Sequence, residues 1–285
     1  MRTRFRRALA ARAMLALCFG ALAAAAAGQQ ASAGATGAEG RFDPSLFGNP
    51  AGGAGKWLPL RPGYQSVRRG GVSRGSRRLP HIRVFTVTAV TKQIAGVRAV
   101  AVLDQDFDGG QLAEQALDYL AEDREGNVWY FGSYTESYEG GQFVNAEDGW
   151  LAGIRGAKAG ILVPAQPEAG TPSFYQFQAP GLESPRARVA KVGQSVCVPF
   201  KCYKGVLVVE EDGSEYKYYA PGVGGIRTEP RYSGGEQETE LLINLRVLSA
   251  RGLAELNAEA LKLDRHARVT VPDVFGPSSA SKRTP

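Results

Sequence analysis

Histidine and cysteine are scarce in this chain, two and three respectively among 285 residues. A zinc centre of the usual Cys/His kind needs four ligands, and His81 and His266 are the whole imidazole supply. The sequence therefore reads as having no metal centre and no cofactor. A His-activated nucleophile finds no better support. Gly71-Val72-Ser73-Arg74-Gly75 has the spacing of a nucleophile elbow. That elbow needs a buried strand before the serine and a helix after it, whereas both flanks here are arginine-rich and read as a polar loop. Gly222-Val223-Gly224-Gly225-Ile226-Arg227 opens like a dinucleotide loop, yet Arg227 stands where the third glycine belongs and no βαβ unit surrounds it.

Long apolar runs are missing too, with one exception at the start. Arg2, Arg4, Arg6 and Arg7 precede an Ala- and Leu-rich run from Ala8 to Ala27, followed by small-residue exits at Ala27 and at Ala33. This is the layout of a secretory signal peptide. Residues 1–33 are expected to be removed, leaving no transmembrane segment and a secreted or periplasmic/cell-envelope location. Cys18 lies in the run after Leu17, where lipid attachment would require a small residue. The formal charge of +6 falls to +1 once Arg2, Arg4, Arg6, Arg7 and Arg12 are removed, because the segment holds no acid. The basic character that would favour nucleic acid belongs to the discarded piece, and no nucleic-acid partner is expected.

Residues 34–55 are rich in Gly, Ala and Pro and read as a disordered linker. The body, 56–275, reads as one mainly β domain, and 276–285 as a frayed tail. Val84, Thr86, Thr88 and Val90 alternate with Phe85, Val87 and Ala89, and Val97–Leu103 follows a turn at Ile94-Ala95-Gly96. Further strands are expected at 112–121, 128–131, 134–138, 142–145, 203–210, 216–219 and 239–248. Asp212-Gly213 between two of them is a tight-hairpin signal. Turns every ten residues or so favour antiparallel meanders over βαβ units. Leu253, Leu256, Ala260 and Leu263 recur at helical spacing, with Ser249 able to cap the start and Pro272 barring continuation. The expected fold is a strongly curved antiparallel sheet or half-barrel with one C-terminal helix at about 250–266.

Charge is segregated. Ten basic and no acidic residues lie between Lys56 and Arg98; twelve acidic residues and only Arg124 lie between Asp104 and Asp148. Neighbouring hairpins with complementary faces account for this, and a cationic patch at Arg68, Arg69, Arg74, Arg77 and Arg78 is the sharper alternative. Asp104, Asp106 and Asp108, before Gly109, match half of a calcium loop, but Gln115 replaces the closing Glu, so a hairpin turn is favoured over the calcium alternative. Glu114, Asp118, Glu122 and Asp123 are candidate hydrolytic carboxylates. Cys197 and Cys202 have four residues between them, including Pro199, and in an oxidising compartment are expected to form a disulfide.

Leu117–Asp123, Gly126-Asn127-Val128-Trp129-Tyr130-Phe131-Gly132 and Tyr218-Tyr219-Ala220-Pro221-Gly222-Val223-Gly224, with Trp57–Gly63 and Gly149–Gly153, resemble the signatures of a family of exported bacterial proteins of unknown function. The resemblance covers about 41–275. It implies a half-barrel like that of lipoprotein carriers and brings no catalytic residues. The chain departs from the family at Arg68–Arg78, which leaves the order of 64–80 open, and at the cysteine pair. The expected function is a non-enzymatic exported module that binds an apolar or amphipathic ligand, or an envelope partner, through sheet-borne aromatics: Trp129, Tyr130, Phe131, Tyr216 and Tyr218. The rivals are a carboxylate-dependent extracellular hydrolase and a structural envelope protein without ligand.

Overall fold

Side chains of a strand alternate between two faces, and the body of this protein buries both. In a computed structural model that describes residues 42–48, 55–146, 149–232 and 237–284, the first hairpin is β1 (Tyr64–Arg74) with β2 (Arg77–Ile94). The meander continues through β3 (Val97–Asp108), β4 (Gln111–Glu122) and β5 (Val128–Glu139), with short β6 (Gln142–Asn145), β7 (Trp150–Leu151) and β8 (Lys158–Val163) all pairing with β5. Then come β9 (Phe174–Tyr175), β10 (Phe177–Gln178), β11 (Arg186–Cys197), β12 (Cys202–Glu211), β13 (Glu215–Ala220), β14 (Gly224–Pro230) and β15 (Glu238–Val247). The chain ends with α1 (Ala250–Thr270), the single turn α2 (Pro272–Phe275) and β16 (Lys282–Arg283). The fold is mainly antiparallel β with one C-terminal helix, as expected.

The strand order runs β10-β8-β5-β4-β3-β2-β1-β15-β14-β13-β12-β11-β9. Its two ends are neighbours in sequence. Phe177 and Gln178 pair with β8, while Phe174 and Tyr175 pair with β11, so one short segment nearly closes the sheet into a barrel. Gly160 on β8 makes the crossing possible: a Cβ there would lie 2.3 Å from the Tyr175 carbonyl oxygen.

Inside, Val87, Val100, Val102, Leu120, Val128, Val163, Val189, Leu207 and Val209 form one core, plugged by Trp57, Leu58 and Leu60. The opposite face of β2–β5 carries Val90, Ala99, Ala101, Leu103, Leu117, Tyr119 and Phe131, against which α1 packs Ala260, Leu263 and Ala267. Ser249 caps α1 by accepting from the Gly252 amide. The helix stops before Pro272, whose missing N–H and ring forbid an uninterrupted continuation. A bulge in β2, between Val87 and Thr91, bends the strand over this core. Its freed backbone groups are satisfied: the Ala89 amide donates to Asn257 Oδ1 of α1, at 2.8 Å, and the Ala89 carbonyl accepts from Thr284.

Three expectations are corrected. The arginine-rich stretch 68–78 is not a loop but the β1–β2 hairpin, because Arg68 and Arg74 find carboxylates on other strands at Glu240 and Asp108. Within the stretch expected to be linker, Phe42 and Phe47 pack edge-on to Phe131, and Phe47 to Trp129 as well, around the turn Pro44–Leu46. Residues 34–41 and 49–54 lie outside the described residues, as does the whole of 1–33. The expected tail pairs with β2 through β16 and supplies Ser281 to Asp264. Cys197 and Cys202 are joined by a disulfide across the end of the β11–β12 hairpin. Among the described residues no helix is long and apolar enough to cross a membrane.

Candidate functional site

The barrel interior is not uniformly apolar. Above the plug lies a cavity of about 170 Å³ with a mixed wall: Leu58, Phe85, Leu120, Tyr130 and Tyr219 on one hand, Arg68, Arg83, Asp104, Asp118, Glu211 and Lys217 on the other. Strand alternation puts them there. Arg68 follows Ser66 on β1, Arg83 precedes Phe85 on β2, and Lys217 precedes Tyr219 on β13, each pair two residues apart and so on one face.

Most of these charges are matched. Arg83 grips Asp104 with Nε, 3.0 and 2.9 Å from its two oxygens, and with Nη2. The surrounding carboxylates of Asp104, Asp106 and Glu240 raise Arg83 further above its ordinary value in spite of burial. Lys217 Nζ lies 2.6 Å from Glu211 Oε2, and Gln176 Nε2 donates to the other oxygen of Glu211. The basic β1–β2 and acidic β3 segments thus pair through Arg83 with Asp104 and Arg74 with Asp108, but on carboxylates buried in the interior and not across the exposed faces that the charge pattern suggests.

Asp118 is different. Its partners are hydroxyls, with Tyr130 donating at 2.5 Å and Ser133 at 2.9 Å, both to Oδ1. Burial, reinforced by the nearby charge of Asp104, pushes its carboxyl up to about 6 against the pull of those two hydrogen bonds. A carboxyl so placed titrates near neutrality and faces a cavity, a combination that marks candidate sites.

Towards one end of the barrel the interior becomes a charged cluster. His81 is 1% exposed. Its Nδ1 is 2.8 Å from Asp108 Oδ1, and Asp108 is also held by Arg74, whose Nη2 is 2.7 Å from Oδ2. Its Nε2 points among Asp106, Glu238 and Glu240, at 3.8, 3.7 and 3.7 Å. Against the cost of burial, Asp108 and the other three carboxylates push His81 up to about 10. Burial, opposed by Arg83 and helped by Asp104, raises Asp106 to about 8. Burial and neighbouring Glu240 raise Glu238 well above its usual range, whereas Arg68 and Arg83 overcome burial and hold Glu240 well below it.

Of the aromatics expected at a binding surface, only Tyr130 lines the cavity. Trp129 and Phe131 lie in the outer core beneath Phe42 and Phe47, with the Trp129 indole donating to Asp123. Tyr216 and Tyr218 alternate with inward Lys217 and Tyr219 and so face outward; Tyr218 donates to Glu229 and lies under Arg227. The candidate calcium ligands Asp104, Asp106 and Asp108 lie along β3, with Asp104 on Arg83 and Asp108 on Arg74 and His81. Asp123 is consumed by the turn it opens, accepting from Glu125 and Asn127. Sequence reasoning missed Arg83, Lys217, Glu238 and Glu240. The available signal was charged residues at alternate positions of strands, Glu238 and Glu240 above all.

A nearly closed antiparallel barrel with a charged interior is thus the class that fold and site define. No family model matches the chain, and no curated relative does. Two solved structures resemble it. One is described as a "putative lipoprotein" from Parabacteroides distasonis ATCC 8503, with 14% identity over 67% of this chain and 99% of that one and a TM-score of 0.35. The other is a "putative exported protein with YmcC-like fold" from Bacteroides fragilis NCTC 9343, with 12% identity, the same coverages and a TM-score of 0.34.

Proposed function

We propose that this is an exported, non-enzymatic binding module whose barrel cavity takes a small polar ligand that offers an ammonium or hydroxyl group to Asp118. One observation carries the reading: a half-buried carboxyl that faces the cavity and has only hydroxyl partners. The size of the cavity narrows the ligand class. A site of about 150 Å³ accommodates a benzene-sized guest, while drug-sized ligands occupy about 300–1,000 Å³. A lipid chain therefore suits the 170 Å³ interior less well than a compact polar molecule. Export rests on the basic, apolar and small-residue order of 1–33 and is tested by N-terminal sequencing of protein from envelope or medium. An intact Met1 would refute it.

Binding is tested by thermal unfolding with ethanolamine, which offers both groups, and with glycerol, which offers only hydroxyls. The expected result is a rise in Tm for the wild type that is lost in Asp118→Asn. For ethanolamine the affinity should fall below pH ~6, as the raised carboxyl takes up its proton. Equal responses in the two proteins would refute the role of Asp118.

A hydrolase is the second reading, favoured by the placement of Asp104. That residue pairs across the ladder with Ala116, two residues before Asp118, so the two are diagonal neighbours, and both line the cavity, as a pair of hydrolytic carboxylates must. Glu114 lies four residues along the strand from Asp118, about 13 Å away at strand rise, too far to serve. Glycan hydrolysis by the wild type, abolished in both Asp104→Asn and Asp118→Asn, would select this reading.

A further inference from the structure

We propose that the charged end of the barrel is a binding site for one divalent transition-metal ion, held by His81 Nε2 and by carboxylate oxygens of Asp106, Glu238 and Glu240. The proposal is independent of what the Asp118 cavity binds. Its geometric basis is the ring of separations around His81 Nε2: 3.7 Å to Glu238 Oε1, 3.7 Å to Glu240 Oε1 and 3.8 Å to Asp106 Oδ1. These are too long for hydrogen bonds. A tetrahedral zinc ion with ligand bonds of 2.0–2.2 Å spaces its ligands about 3.3–3.6 Å apart, so small side-chain shifts would close the set.

Among the described residues, His81 Nε2 and Asp106 Oδ1 are buried with no hydrogen-bond partner. A buried imidazole nitrogen left unpaired is costly, and an ion between the ligands would satisfy both atoms. The other ring nitrogen supplies an independent argument. His81 Nδ1 hydrogen-bonds Asp108, and Arg74 holds Asp108 in turn. A metal-bound histidine characteristically donates its second N–H to a carboxylate, which fixes the tautomer and aims the free lone pair. Asp108 is then a positioning residue.

Arg83 is the competitor, with Nη1 3.4 Å from Glu240 Oε1 and 4.0 Å from Glu238 Oε1. Its Nε and Nη2 are committed to Asp104, so it cannot neutralise the cluster alone. The ion-paired network holds the carboxylates of Asp104, Asp106, Asp108, Glu238 and Glu240 against the guanidiniums of Arg68, Arg74 and Arg83. In the metal-bound state, with the histidine neutral and all five carboxylates ionised, the excess is two negative charges, which one divalent cation balances. One nitrogen and several oxygens suit zinc or manganese better than a soft-metal site. Topology explains why the ligands meet. In the ladders, Gly70 of β1 lies between Glu240 and His81, on the same face as Arg68, so no side chain stands between them. Glu238, with 29% of its side chain exposed, opens the site to solvent.

The test is a titration of metal-stripped full-length protein with zinc chloride, read by calorimetry and by the imidazole NMR signals of His81 and His266. The expected result is one ion per chain, a shift of the His81 ring alone, and affinity at least about tenfold weaker in Glu238→Gln, a change at a half-open position that removes no packing. Asp108→Asn should weaken binding by about 10–100-fold. Absence of binding to the wild type would overturn the proposal. So would binding that leaves the His81 ring unmoved or is unchanged in Glu238→Gln.

Discussion

Lys92 and His81 are both buried cations on β2, both among carboxylates, and their surroundings differ in one respect. Lys92 points to the helix side, where Nζ donates to Asp264 at 2.8 Å and to the Ser279 carbonyl at 2.6 Å. Asp264 also accepts from Tyr119 and from the amide and hydroxyl of Ser281. Burial pushes Lys92 down, while Lys92 and Ser281 outweigh burial and hold Asp264 below its ordinary range. The four donors on one carboxyl decide for a charged pair, because only an ionised carboxylate accepts them all. His81, on the barrel side, has one nitrogen satisfied and the other without a partner. A closed set of partners serves the scaffold; an open set in an equally buried place leaves room for something else to complete it.

The largest effect is expected at the closed pair. Asp264→Ala should cost about 3–5 kcal/mol in urea unfolding, since it strands a buried ammonium. Lys92→Met combined with Asp264→Leu should recover much of that loss. A single-variant loss below about 1 kcal/mol would show the pair to be wet and the contrast unfounded. Next, Leu263→Ala, in the fully buried stripe of α1, should cost about 3 kcal/mol; a negligible loss would detach the helix from the core.

On the open side, Asp118 makes the sign of a pH effect testable. Its folded-state carboxyl is raised to about 6, above its unfolded value. Its contribution is therefore fully present below pH ~4 and is lost as pH rises through about 6, by roughly 2–3 kcal/mol. Asp118→Asn keeps an acceptor for Tyr130 and Ser133 and removes that loss. The variant should gain stability relative to wild type between pH 4 and pH 8, and a flat difference would refute the assignment. The smallest effect belongs to the disulfide. Replacing Cys197 and Cys202 together by Ser should cost about 2 kcal/mol or less, because the closed loop is short.

The strands were legible wherever apolar and β-branched residues alternate, as at Val84–Val90 and Val97–Leu103, and wherever a turn demanded positive φ. Asp212 and Gly213 adopt φ of 47° and 66°. The helix was legible from Leu253, Leu256 and Leu263, and its start from Ser249. The β1–β2 hairpin was not, because Arg68, Arg74, Arg77 and Arg78 look like a solvated loop. The partners of Arg68, Arg74 and Arg78, namely Glu240, Asp108 and Thr239, are distant in sequence, and a single chain read locally gives no hint of them. The same holds for the site. Aromatics were the visible resource, yet Trp129 and Phe131 are outer core, and the cavity is defined by charges paired between neighbouring strands, such as Arg83 with Asp104 and Lys217 with Glu211.

Methyl NMR during titration with ethanolamine tests the contrast between the two faces most directly, because each face carries its own leucines. Leu58, Leu120 and Leu162, which line the cavity, should shift saturably. Leu103, Leu117 and Leu263, in the outer core, should not, and Asp118→Asn should abolish the response. Shifts confined to the outer leucines, or none at either face, would contradict that contrast.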